Sequence, residues 1–349
     1  MKKFEVLSKP GKIYRRMLED IKNARKSIYL ETYIYDDDRV GRIFRKYLEK
    51  KVKEGVEVKV LVDAWGSGAK KDFFKRLKET GGEIRFFREF KYAIRIFSKN
   101  QERNHRKLLL IDNRISYLGS INITESCLKW RELVLRMEGG ITEHFVESFK
   151  KSWETHGKFS AKRINKLVHR GFEIIQDTPS KISKPTERGY VRLINKAKDS
   201  VMIETPYFIP SRSIRKALAR AAKRGAIVKL IVPYISDVKI ADAVRERDMG
   251  EIWRAGAYIY YYKRILHSKL LIIDEDFFML GSSNLDYRSF IHNYDINLIG
   301  KNKKITLVLK EYYNKALGEC ILFDYEKWKA RSSFSRIAEI FLVIIKKYL

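Results

Sequence analysis

Two cysteines, Cys127 and Cys320, are too few to frame a disulfide scaffold in 349 residues, and they fit a reducing compartment. Long apolar runs are missing: none approaches the roughly 18 residues that mark a membrane-spanning helix. The opening Met1-Lys-Lys-Phe-Glu-Val-Leu7 has no apolar core long enough for a secretion signal. Histidine is scarce, and the six present include no pair at zinc spacing, so no metal centre and no other cofactor is expected. Acidic residues are in deficit, 43 against 73 Lys and Arg, for a formal net charge of +30. That excess calls for an anionic partner, either nucleic acid or an anionic membrane surface. Richness in Lys, Arg and Glu is also a mark of heat-adapted proteins. With 45% hydrophobic residues the chain is long and apolar enough to bury a sizeable core.

What is present is a repeat. Residues 105–112 read His-Arg-Lys, four apolar residues, then Asp112; residues 267–274 read His-Ser-Lys, four apolar residues, then Asp274. Each copy is followed by a glycine-serine turn with an asparagine, Gly119-Ser120-Ile121-Asn122 and Gly281-Ser282-Ser283-Asn284. From His105 to His267, Lys107 to Lys269, Asp112 to Asp274, Gly119 to Gly281 and Asn122 to Asn284 the interval is 162 residues throughout. A lone His-x-Lys carries no information; two copies in one register do.

The apolar run after each lysine reads as a buried strand. Side chains two apart on an extended chain share a face, so each histidine points with its lysine. Asp112 and Asp274 fall an odd number of positions further on and are expected to hold a turn through side-chain to backbone hydrogen bonds. If the two pairs converge, one neutral imidazole can attack phosphorus and the opposing imidazolium can protonate the leaving oxygen. Lysines and asparagines then stabilise the non-bridging oxygens. Glu132 follows His105 by 27 residues and Asp295 follows His267 by 28. A carboxylate on the far nitrogen of each histidine would set its tautomer and stabilise its charged form.

The duplication extends beyond the motifs. A basic amphipathic helix over 12–25 leads into a strand over 27–34, then a helix over 39–54 stopped by Gly55, then an alternating strand over 56–62. The order recurs as a strand over 200–208, a helix over 213–224, Gly225, and a strand over 227–232. This predicts an α/β protein of two similar domains about a pseudo-twofold axis, with the active site at the seam. The expected divisions are an N-terminal domain over 1–155, an inter-domain segment over 156–190, a C-terminal domain over 191–325 and a basic amphipathic tail over 326–349. A strand over 173–176 is expected inside the inter-domain segment.

Several features stay open on sequence alone. Glu31 and Glu204, each just before a threonine, are either buried carboxylates paired with a lysine or partners of the site lysines. The loop Trp65 to Lys71 lacks P-loop spacing and reads as a turn near the site entrance. The basic aromatic stretch Phe86 to Lys99 is either a membrane-interface element or a strand with a solvated edge. The segment Arg331 to Leu349 is either an interfacial anchor or a docked terminal helix. His144, His156, His169 and His292 have no duplicated context and read as structural or surface residues.

From about Ser27 to about Asn297 the pattern resembles the phospholipase D superfamily, and within it bacterial cardiolipin synthases. The resemblance is carried by 103–108, 119–123, Trp130-Arg131-Glu132, Glu204 to Pro210 and Gly281 to Phe290. It implies a metal-independent phosphohistidine enzyme with His105, Lys107, Asn122, His267, Lys269 and Asn284 in one site. Glu132 and Asp295 would then partner the histidines, with Ser120, Ser282, Asp112 and Asp274 in support. The implied reaction joins two phosphatidylglycerols into cardiolipin and releases glycerol. A phospholipase D hydrolase, a phosphatidylserine synthase and a superfamily nuclease share the same histidines and remain open, so nucleic acid is not excluded as a partner. The implied form is the short one without N-terminal transmembrane helices, cytoplasmic and peripheral on the inner face of the cell membrane.

Overall fold

The computed structural model describes residues 3–88, 102–157 and 166–332. Most of the basic aromatic stretch over 86–99 and residues 333–349 of the C-terminal tail lie outside the described residues.

The strands are β1 (Lys3–Leu7), β2 (Ser27–Thr32), β3 (Glu57–Asp63), β4 (Glu83–Phe87), β5 (Arg103–Asn104), β6 (Leu108–Ile111), β7 (Ile115–Gly119) and β8 (Val134–Glu138) in the first half. The second half holds β9 (Lys166–His169), β10 (Phe172–Asp177), β11 (Ser200–Glu204), β12 (Ile227–Pro233), β13 (Tyr258–Tyr262), β14 (Leu270–Ile273), β15 (Phe277–Gly281), β16 (Asn293–Lys301) and β17 (Cys320–Leu322). The helices are α1 (Pro10–Lys22), α2 (Arg39–Lys53), α3 (Lys75–Glu79), α4 (Ile141–Thr155), α5 (Pro185–Lys196), α6 (Arg212–Lys223), α7 (Lys239–Arg254), α8 (Tyr287–Ile291), α9 (Lys303–Leu317) and α10 (Tyr325–Lys329).

The strand order β1-β8-β7-β6-β2-β3-β4 in the first sheet recurs in the second as β10-β16-β15-β14-β11-β12-β13. The parallel pairs also recur: β2-β3-β4 in one, β11-β12-β13 in the other. The two halves are therefore copies of one α/β unit. In this order β10 holds the place of β1, although its residues fall in the stretch expected to lie between the domains. The hairpin β9-β10 pairs with β16, so 166–177 is part of the second sheet.

Helices α2 and α6, which follow β2 and β11, are amphipathic and each starts on a capping side chain. Asp38 accepts from the Gly41 N–H at 2.9 Å ahead of α2, and Ser211 accepts from the Ile214 N–H at 3.4 Å ahead of α6. Gly55 and Gly225, at φ +83° and +94°, stop these helices in matching places. Each half has a core of its own, and a third core is shared. In the shared core Tyr29, Leu110, Phe145 and Phe149 of the first half meet Leu270, Leu298, Leu309 and Tyr313 of the second. Helices α4 and α9 both contribute to it, so neither half buries this face without the other.

Asp112 and Asp274 hold structure through their carboxylates, but not their own turns. Asp112 accepts from the backbone N–H of Arg25, Lys26 and Ser27 at 2.9, 2.7 and 3.0 Å, fixing the entry to β2. Asp274 does the same for Lys198, Asp199 and Ser200 at 3.2, 2.9 and 2.8 Å, at the entry to β11. Both sit at positive φ, +54° and +53°, where Asp is tolerated better than most residues. Asp112→Ala should destabilise the protein by about 2 kcal/mol, the scale of lost charge-assisted bonds, in urea unfolding. Unchanged stability would show that the carboxylate holds nothing.

Candidate active site

The chain enters β6 and β14 at Leu108 and Leu270, so each His-x-Lys lies in the extended segment just before its strand. These segments do not stay within their own halves. β5 pairs in parallel with β16, and the His105 N–H donates to the Tyr294 carbonyl at 2.9 Å. In the matching place the His267 N–H donates to the Arg131 carbonyl at 2.9 Å. Each histidine is thus held by the backbone of the opposite half.

The carboxylates cross in the same way. His105 Nδ1 lies 3.0 Å from Asp295 Oδ1, and His267 Nδ1 lies 2.9 Å from Glu132 Oε1. An ionised carboxylate only accepts, so Nδ1 carries the proton and the Nε2 lone pair is left for chemistry. Both carboxylates are fully buried, while the histidines keep 8% and 7% exposure. Each carboxylate is held from behind by its own half. Ser282 Oγ donates to Asp295 at 2.5 Å, and Ser120 Oγ donates to Glu132.

The glycine before each serine makes this possible. A Cβ on Gly119 would fall 2.2 Å from the Leu133 carbonyl oxygen, and one on Gly281 would fall 2.3 Å from that of Ile296. Only glycine lets the two strands approach closely enough for the next residue to reach the carboxylate.

Each lysine folds back on its own histidine: Lys107 Nζ donates to the His105 carbonyl at 2.6 Å and Lys269 Nζ to that of His267 at 2.5 Å. Burial pushes Lys107 down to about 7, and the Lys269 cation adds to this. Burial also pushes Lys269 down, to about 8, against the pull of Glu132 and the nearby aspartates. Burial and the neighbouring lysines depress both imidazoles, His105 to about 3. Burial works to raise Glu132 and Asp295, but the facing histidine, a nearby lysine and the serine behind each one together outweigh it and hold both below the usual carboxylate range. The site sets two lysines of weakened charge and two neutral imidazoles against two ionised carboxylates, and a bound oxyanion would favour the protonated form of all four bases.

Of the residues expected from sequence, His105, Lys107, Glu132, His267, Lys269 and Asp295 come together here, with Ser120 and Ser282 behind the carboxylates. Asn122 is buried and its Oδ1 accepts from the Ile34 N–H at 3.2 Å. Asn284 is also buried, and its Oδ1 has no partner among the described residues. Asp112 and Asp274 act at the β2 and β11 entries instead.

Among the described residues Glu31 and Glu204 pair with no lysine. Glu31 accepts from Asn104 Nδ2 at 2.8 Å. Glu204 takes Arg131 Nε at 3.0 Å and the Tyr312 hydroxyl at 2.8 Å, together with the Ser268 hydroxyl. Two aromatic residues not singled out by spacing flank the histidines. The Tyr33 ring stands edge-on 5.1 Å from His105, and the Trp130 ring edge-on 5.2 Å from His267. Their signal was position alone, next to Thr32 and Arg131 in stretches already marked by the repeat. The Trp65 loop lies at the same side: Asp63 accepts from the N–H groups of Trp65, Gly66 and Asn104, and Arg103 stacks 4.4 Å over the Trp65 ring. Among the described residues no group of three or more His, Cys, Asp or Glu side chains is gathered as a metal site requires.

An oxyanion in this pocket would restore charge to the lysines. Tungstate, whose own charge is constant over the range, should bind more weakly as pH rises from 7 to 9 and should take up protons on binding. Calorimetry in buffers of different ionisation heat reads both effects. A pH-independent affinity without proton uptake would contradict the depressed lysines.

The family profile described as "Cardiolipin synthase, PLD-like domain" matches residues 17–153 and 190–317. A cardiolipin synthase of Clostridium perfringens is 31% identical over 354 residues, covering 95% of this chain and 74% of that protein. The major cardiolipin synthase ClsA of Bacillus subtilis is 31% identical, covering 93% of this chain and 71% of that protein. Among solved structures, phosphatidylserine synthase of Haemophilus influenzae superposes with a TM-score of 0.76 at 14% identity, over 99% of this chain and 95% of that one. Polyphosphate kinase of Porphyromonas gingivalis gives 0.65 at 12% identity, over 100% of this chain and 54% of that one. The two structures share the fold. With the profile matching both halves, the chain belongs to the cardiolipin synthase family of phospholipase D-like phosphatidyltransferases.

Proposed function

We propose that the protein makes cardiolipin by moving a phosphatidyl group from one phosphatidylglycerol to the hydroxyl of another, through a covalent phosphohistidine on His105. The observation that carries this is the crossed pairing of two Nδ1-anchored histidines in one pocket with Lys107 and Lys269.

His105 is neutral at physiological pH, with its proton on the Asp295 side, so Nε2 is free to attack the phosphorus. As that N–P bond forms, the bond from phosphorus to glycerol oxygen breaks and His267 Nε2 gives the leaving oxygen a proton. The imidazolium this requires is favoured by Glu132, and the bound phosphodiester offsets the lysines that disfavour it in the empty site. Lys107 and Lys269 bear on the non-bridging oxygens, with Asn122 and Asn284 as amide groups beside them. In the second half-reaction the acceptor hydroxyl attacks phosphorus, its proton passes to His267, and His105 is released. The lipid assignment is supported by the relatives named cardiolipin synthases.

The +30 charge suits an anionic bilayer surface. Among the described residues no helix is long and apolar enough to cross a membrane. We place the protein as a peripheral enzyme on the cytoplasmic face.

Labelled phosphatidylglycerol vesicles, incubated with the protein in chelator and separated by chromatography, should give cardiolipin and free glycerol. His105→Ala should abolish this, and Asp295→Asn should slow it by the order of 10³ without lowering the melting temperature. Phosphatidic acid as the sole product would make the enzyme a hydrolase. Turnover by His105→Ala at the wild-type rate would end the mechanism.

A further inference from the structure

A cavity of about 480 Å³ opens at the seam between the halves. Both halves wall it: the end of β1 and start of α1, residues 128–131, the end of β13, and α9. Trp130 is shared between cavity and site, because its ring also stands 5.2 Å from that of His267. Arg131 lines the cavity with its side chain while its carbonyl accepts the His267 N–H.

The lining has a definite chemistry. Five cationic side chains face two acids. Arg131 is neutralised by Glu204, and Arg264 by Glu319. Lys9, Lys129 and Lys315 have no ion-pair partner among the described residues, and the one other acid of the lining, Glu311, leaves cations in excess. Apolar side chains stand beside them, with Leu128 and Val308 still 41% and 39% exposed. Uncommitted cations next to exposed apolar surface suit a ligand that carries a phosphate on an apolar body.

We propose that this cavity holds the phosphate of the acceptor lipid, an anionic glycerophospholipid whose free hydroxyl reaches His267. The assignment rests on the phosphatidyl-transfer reading above, in which the second alcohol loses its proton to His267. At that step the acceptor oxygen–phosphorus bond forms, the His105 Nε2–phosphorus bond breaks and the hydroxyl proton moves to His267 Nε2. The donor phosphate already occupies Lys107 and Lys269, so an acceptor that brings a second phosphate needs cations elsewhere. Water and glycerol bring none and gain nothing from the cavity. The three lysines therefore select a lipid acceptor over a small neutral one.

The test uses full-length protein on phosphatidylglycerol vesicles with labelled glycerol in the medium. Two products form from one intermediate: labelled phosphatidylglycerol by exchange with glycerol, and cardiolipin by transfer to lipid. In the double variant Lys129→Glu, Lys315→Glu the ratio of cardiolipin to exchange product should fall about tenfold, the loss expected from one charge-assisted contact. Lys78→Glu, Lys223→Glu carries the same change of net charge at two exposed positions away from the cavity, and should keep the wild-type ratio. An unchanged ratio in the cavity variant, or an equal fall in both variants, would overturn the proposal. If wild-type protein puts label into neither lipid and makes no cardiolipin, the transfer reading itself has failed, before any variant is measured.

Discussion

Two buried carboxylates, each reaching a histidine of the opposite half, are the constraint on which the rest depends. Glu132 and Asp295 have no access to water, and a lone buried carboxylate is costly. Each is compensated only if the other half brings a histidine against it and a lysine close by. The halves must therefore dock in one register before either charge is satisfied. The shared hydrophobic core is non-directional; the crossed pairs, the β5–β16 pairing and the Arg131–Glu204 ion pair add directional contacts across the seam.

The same crossing explains why the site is neutral in its imidazoles and weak in its lysine charge. Four basic side chains and two acids are gathered in a place where burial penalises every ion. Such a pocket is poised for a ligand of negative charge, and a phosphodiester supplies it. In the proposed reaction, substrate entry restores the lysines and favours the imidazolium that the departing alcohol requires. Protonation state and substrate binding are in this way one equilibrium, set by the same few contacts.

Much of this was legible in sequence because the repeat is exact in spacing. The strand, helix and strand over 27–62 and over 200–233 fall within a few residues of where periodicity puts them, since capping side chains and the stopping glycines mark their ends. The site pairs were legible for the same reason. The crossing was not, because an offset of 27 or 28 residues is silent on which histidine a carboxylate serves. Nor was the role of β10 as the counterpart of β1: its short strand lies among turn-forming residues, and only pairing with β16 reveals it. Asp112 read correctly as a backbone acceptor, yet its partners lie some 85 residues upstream. The ion pair of Arg131 with Glu204 spans the seam and has no local signal at all.

The most direct measurement is capture of the covalent intermediate. Wild-type protein, which keeps His267 as the proton donor for adduct formation, would be mixed with labelled phosphatidylglycerol, quenched within the first turnover in neutral denaturant and digested for mass spectrometry. The account predicts a phosphatidyl adduct on His105, stable at neutral pH and lost in acid, and none in His105→Ala. No adduct under conditions where wild-type protein turns over, or an adduct on another residue, would contradict it.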